Sequence, residues 1–210
     1  AWRKRTQNTS WYNETLNTST RGARKEFPSV AVIVASVGRV TIYDGDDPDM
    51  PMWMVFPPSG ILDWPTSTLT DISVTALNGQ IVTGANDGGL VWKFISDYID
   101  ILYNGNFTIT SDRTIAGRSD TTAYTVGGGN NFFIVNYDIN DVAMTVLPNA
   151  PIDADTGLPV PTIAVATNGG VSVIKDDGSV VDITAGAGSA YTGVSWIDIT
   201  KNNYLIFEQD

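Results

Sequence analysis

The loop Asp44-Gly45-Asp46-Asp47-Pro48-Asp49 brings three or four carboxylates within reach of one another. Hard oxygen ligands gather in this way around calcium, which takes about six to eight of them. The loop lacks both the full spacing of an EF-hand and its closing glutamate, so the plainer expectation is a solvated cluster of β-turns. Asp153-Ala154-Asp155-Thr156-Gly157 and Asp176-Asp177-Gly178 offer the same chemistry in weaker form, since Asp-Gly is also the ordinary hairpin turn. The candidate binding residues are therefore Asp44, Asp46, Asp47, Asp49, Asp153 and Asp155, with Asp44, Asp46 and Asp47 as candidate calcium ligands. No other cofactor is expected.

Other chemistry is excluded by composition. The chain contains no histidine and no cysteine. Disulfides, thiolate or imidazole metal ligands and histidine-based acid/base catalysis are thereby impossible within it. A glycosidase would need only two carboxylates, but no Asp-box turn of the form Ser-x-Asp-x-Gly-x-x-Trp occurs to mark a sialidase-type site. Gly127-Gly128-Gly129 is no phosphate loop, because neither a lysine nor a helical pattern follows it. Trp53, Trp64, Trp92 and Trp196 could stack on sugar rings; lying in or beside expected strands, they are read first as core. Asn8, Asn13, Asn17 and Asn106 match the N-glycosylation pattern, which has meaning only in a chain secreted by a eukaryote.

The net charge of -11 is unevenly spread. Residues 1–25 carry Arg3, Lys4, Arg5, Arg21, Arg24 and Lys25 against Glu14 alone, leaving 6 basic and 22 acidic residues for the rest. An acidic body repels phosphate, so no nucleic-acid partner is expected. The basic stretch reads as a solvated or partner-docked arm. With 42% apolar and 17% charged residues the composition is globular. The longest apolar stretch, Val30 to Ala35, has the length of a strand, so no membrane insertion is expected.

These loops must be held by strands. Four copies of a strand-turn-strand unit, centred on residues 34–42, 81–92, 124–135 and 163–174, recur at a spacing of about 40 to 50 residues, the length at which neighbouring units share a core. Each copy runs from a β-rich stretch through a Gly/Asn turn into a second β-rich stretch. Further strands are expected at Met52 to Phe56, Ile72 to Leu77, Asp100 to Tyr103, Val142 to Leu147 as part of the third unit, Ser179 to Ile183, Gly193 to Ile199 and Tyr204 to Phe207. Gly38, Gly88, Gly89, Gly169 and Gly170 are expected in the tight turns, some at positive φ. The expected fold is all-β, a β-propeller-like array of about four to five antiparallel blades, with a β-sandwich as the alternative. Residues 1–26 form an extended basic arm on this reading, and 27–210 the repeat domain, a segment of a longer chain.

Three stretches carry a resemblance: Trp11-Tyr12-Asn13-Glu14-Thr15-Leu16-Asn17, Arg24 to Val34, and Val40-Thr41-Ile42-Tyr43-Asp44-Gly45-Asp46-Asp47-Pro48-Asp49-Met50-Pro51-Met52-Trp53-Met54-Val55-Phe56. Together they are similar to the propeller-like repeat region of large virion proteins of tailed bacteriophages, especially those of marine bacteria. The likeness is strongest over residues 11–56 and thinner to 183. It implies a non-enzymatic structural or adhesive module of a phage tail or tail fibre, located in the virion. Partners would be other virion proteins or domains of the parent chain, a host-surface glycan, or further copies of the same chain. The rival readings are a polysaccharide depolymerase and a cellular protein-docking propeller. On any of them, the longer connections Asp44 to Pro51 and Pro148 to Pro161 are where binding is expected to concentrate.

Overall fold

A computed structural model describes residues 2–36, 39–57, 72–86, 88–103, 108–109, 114–119, 124–125, 131–185 and 193–209. The chain is all-β, with no helix of seven or more residues among those described. It divides into two compact units, one of Ala1–Leu69, Phe94–Tyr98 and Phe107–Val126, the other of Thr70–Lys93, Ile99–Asn106 and Gly127–Asp210. Gly38, Trp64, Asn106 and the Gly127 to Gly129 turn lie outside the described residues.

In the first unit, β1 (Ala31–Ser36), β2 (Arg39–Asp44) and β3 (Met52–Phe56) form an antiparallel sheet in chain order. The basic arm departs from the extended reading. Trp2–Arg5 is one helical turn, and Thr6–Asn8 and Trp11–Asn13 are 3-10 turns. The physical reason is Trp11, which is fully buried and donates its indole N–H to the Phe94 carbonyl at 2.6 Å. Its ring meets Trp53 at 5.5 Å and Phe94 at 5.9 Å, both edge to face, while Phe27 packs on Trp53 at 4.7 Å. Further along, the arm does extend: Val55 donates to the Thr20 carbonyl and Gly22 to that of Trp53, both at 2.9 Å, so Thr20 to Gly22 continues the sheet beside β3.

The second unit is layered. One sheet joins β4 (Ser73–Leu77), β5 (Gln80–Ala85), β6 (Gly88–Lys93), β7 (Tyr98–Tyr103) and β10 (Asn131–Phe133) in the order β10-β7-β6-β5-β4. A second joins β11 (Ile139–Thr145), β12 (Thr162–Thr167), β13 (Gly170–Ile174) and β14 (Val180–Ile183) in chain order. The third layer is the hairpin of β15 (Val194–Ile199) and β16 (Leu205–Gln209). Every residue of β12 is buried because the middle sheet is covered on both faces. Ile163 and Val165 point into a cluster with Val82, Val91 and Leu102 of the first sheet. Ala164 and Ala166 point the other way, where their small size admits Val194 and Ile197 of β15. The alternation of large and small residues along one strand thus sets the spacing of two layers.

One hairpin matches its sequence signal closely. Leu77 pairs with Gln80 around Asn78-Gly79, whose φ angles of 50° and 75° are those of the primed turn that Asn-Gly favours. Gly88 and Gly170 sit at φ of 105° and 125° at the start of their return strands, and Gly89 and Gly169 do not enter that region. The third unit departs from its expected form. Tyr124–Thr125 (β9) pairs with Thr108–Ile109 (β8), whereas Asn131–Phe133 pairs with β7 and runs parallel to it, so the two arms lie in different sheets. Residues 142–145, assigned above to that unit, instead belong to β11 and pair antiparallel with β12 of the next. The strand pairing is therefore not wholly antiparallel. Trp53 and Trp92 are core as expected, but Trp196 is 45% exposed, on the face of β15 opposite Val194 and Ile197.

Candidate binding cleft

The Asp44 to Asp49 loop spends its carboxylates on its own unit. Arg24 Nη1 lies 2.7 and 2.9 Å from the two oxygens of Asp44 and 2.7 Å from Asp46 Oδ2. Asp46 also accepts the backbone N–H groups of Ser29 and Val30 at 2.8 and 2.9 Å. The Ser29 N–H first, and Arg24 after it, pull the Asp46 carboxyl down to about 2. Asp47 Oδ1 accepts the Asp49 N–H at 3.0 Å, closing a local turn, and Asp49 is exposed. This loop pins the arm to the start of β1. Among the described residues no group of three or more aspartates or glutamates is arranged to hold a metal ion.

Deeper in the same unit, Glu14 faces two guanidinium groups. Arg118 donates from both Nη atoms to the Glu14 carboxylate, and its Nε donates to the Val55 carbonyl at 2.8 Å. Arg21 lies 3.4 Å from Glu14 Oε2, donates to the Trp53 carbonyl at 2.8 Å and stacks 4.4 Å over the Trp53 ring. Burial is the main cause that lowers the Arg21 pKa to about 10, against the opposing pull of Glu14. Arg21 stays cationic at neutral pH, and these charges act as cross-links. Nothing in their sequence spacing marks them as partners.

The second unit presents a different kind of surface. A cleft of about 270 Å³ opens where the long 146–161 connection and the β13–β14 turn meet the first two sheets. Val91, Phe132, Ile163 and Ile174 form its apolar lining, and Gln80, Lys93, Asp153, Lys175, Asp176 and Asp177 its polar one. Each polar side chain is placed by a strand end or a turn. Gln80 opens β5, Lys93 closes β6, and Lys175 to Gly178 make the β13–β14 turn, in which the Lys175 backbone N–H donates to the Ser179 carbonyl at 2.8 Å.

Asp153, one of the sequence candidates, lines this cleft, while Asp155 is exposed beside it. Asp153 Oδ1 accepts the N–H groups of Asp155 and Thr156, both at 2.8 Å, so it also shapes its loop. Lys93 Nζ lies 2.5 Å from Asp100 Oδ2, and Asp100 is fully buried. No protein-family model matches the chain, and no curated protein matches it. Asp177 accepts from Ser179 through both the hydroxyl, at 2.5 Å, and the N–H, at 2.8 Å. The Ser179 hydroxyl is the largest cause that holds the Asp177 carboxyl below the usual carboxylate range, with Lys175 assisting.

The cleft combines an apolar floor with hydrogen-bond donors and acceptors on a rim of both charges. Such a lining can receive a ligand through apolar contact and hydrogen bonds together. Asp153 and the Asp176-Asp177 turn could be singled out from sequence, although as separate turns. Gln80, Lys93 and Phe132 could not, because only the stacking of sheets brings them to the same place.

Proposed function

We propose that the chain is a non-enzymatic structural and adhesive module with propeller-like stacking, of the kind its likeness to tailed-phage virion repeat regions implies. On this reading it serves a phage tail or tail fibre, where its sheets are the scaffold and its long connection presents a binding surface. The observation that carries the reading is the stacking of three successive sheets in chain order, the middle one covered on both faces. Sheets laid face to face in sequence order are how repeat architectures share a core. The outward face of the β15–β16 hairpin, with Trp196 and Ile206 at 45% and 46% exposure, is suited to taking a further layer.

The test sets binding against cleavage. The purified chain is mixed with bacterial cells and, separately, with their isolated surface polysaccharide. Co-sedimentation with the cells and an unchanged count of reducing ends are expected. New reducing ends would overturn the proposal in favour of a depolymerase.

A further inference from the structure

We infer that the cleft in the second unit receives the terminal ring of a neutral or amino-bearing saccharide and disfavours acidic sugars, an inference that rests on the adhesive reading above. Four features of the cleft carry it. At its base the half-buried ring of Phe132 lies over the closed core residues Val91, Ile163 and Ile174, and an aromatic face is what the C–H face of a pyranose packs on. Its rim offers both donors, from Gln80 and Lys175, and acceptors, from Gln80, Asp153 and Asp176. A sugar hydroxyl donates and accepts at once, so a mixed rim satisfies it where a rim of one kind would not.

The charge balance supplies the selectivity. The Lys93 ammonium is matched by the buried Asp100 carboxylate at 2.5 Å. That leaves Lys175 on the rim against Asp153, Asp176 and Asp177. Asp177 is held on the rim by the Ser179 hydroxyl at 2.5 Å and the Ser179 N–H at 2.8 Å. A ligand carboxylate would meet an excess of negative charge there, and a ligand ammonium would be drawn to it.

The wall is also built in advance. Residues 151–160 fold back on themselves, with Ile152 bridged to Pro159, the Val160 N–H on the Pro151 carbonyl at 2.9 Å and the Asp153 N–H on that of Leu158 at 2.9 Å. Asn78 Nδ2 ties the loop to the β4–β5 turn through the Pro159 carbonyl at 2.9 Å. A ligand need not order this segment on arrival.

The chain, labelled with ¹⁵N, is titrated with methyl glucoside, methyl glucosaminide and methyl glucuronide while amide signals are followed. A single ring in an open cleft should bind with a dissociation constant of about 1–10 mM, the amino sugar tightest and the glucuronide about five-fold weaker or worse. Signals of Gln80, Asp153 and Gly178 should move. Asp176→Lys, on a turn, should keep the melting temperature and reverse the order of amino sugar and glucuronide. Equal binding of all three sugars, shifts elsewhere only, or stronger binding of a trilysine peptide would overturn the inference. Chain that still co-sediments with cells while all three sugars leave the cleft untouched removes this inference and spares the adhesive reading; new reducing ends remove the adhesive reading itself.

Discussion

Ile139 of β11 lies directly on Gly84 of β5: a β-carbon placed at Gly84 would come within 2.2 Å of Ile139 Cγ2 and 3.1 Å of Val142 Cγ1. Gly84 pairs across its hairpin with Gly89, whose own β-carbon would meet Ile139 Cδ1 at 3.0 Å. The glycine pair is a socket that lets the middle sheet approach the first. Gly84→Ala should overpack this contact and destabilise the second unit by about 1–3 kcal/mol, read by chemical denaturation. Pairing it with Ile139→Ala should recover part of the loss, since the two changes share one space.

Asp141 joins all three layers of that unit. Its Oδ1 accepts the Ser73 hydroxyl at 2.5 Å and its Oδ2 the Ile197 N–H at 3.0 Å, linking β11 to β4 and to β15. Asp141→Ala should cost about 1–3 kcal/mol by leaving both donors without their acceptor. Amide exchange should speed up most at Ile197.

Glu14 is the shared counter-charge of Arg21 and Arg118, whose side chains are 1% and 3% exposed. Glu14→Ala strands two buried cations and should destabilise the first unit by about 3 kcal/mol or more. Replacing Arg118 by Met in the same chain should return part of that loss. A denaturation midpoint unmoved by Glu14→Ala would contradict the arrangement.

Asp46 titrates far below the ordinary 3.8, at about 2 in the folded chain. A depressed carboxyl adds stability that is fully present above its unfolded pKa and is lost as pH falls through the folded value. Its contacts with Ser29 and Arg24 should therefore persist at pH 4 and loosen as pH approaches 2. Carboxyl-carbon NMR should give Asp46 a midpoint near 2, and Asp46→Asn should abolish the local pH response at Ser29.

The legible part of the fold is the part set by local rules. Asn78-Gly79 closes its hairpin because both residues accept positive φ, and Ile163-Ala164-Val165-Ala166 reads as a strand buried on both sides because it is apolar at every position. The third repeat misled because strand propensity says nothing of partner. Asn131–Phe133 finds β7 and runs parallel to it, a long-range pairing with no local signal. Trp11 was hidden in a polar stretch without periodicity, and only its burial against Trp53 and Phe94 explains why the arm turns. Of the site, Asp153 and Asp177 were visible as turn residues. The chemistry they share with Lys93 and Phe132 depends on sheets that stack, which sequence spacing does not encode.

The proposed adhesion through a sugar-binding cleft, without cleavage, is tested by competition on the cell surface. Labelled chain is bound to bacteria whose surface polysaccharide carries free amino sugars, then challenged with methyl glucosaminide or methyl glucuronide while released reducing ends are counted. The amino sugar should displace the chain, the glucuronide should do so far less, and no reducing ends should appear. Retention indifferent to both sugars, or polysaccharide shortened as the chain is released, would contradict it.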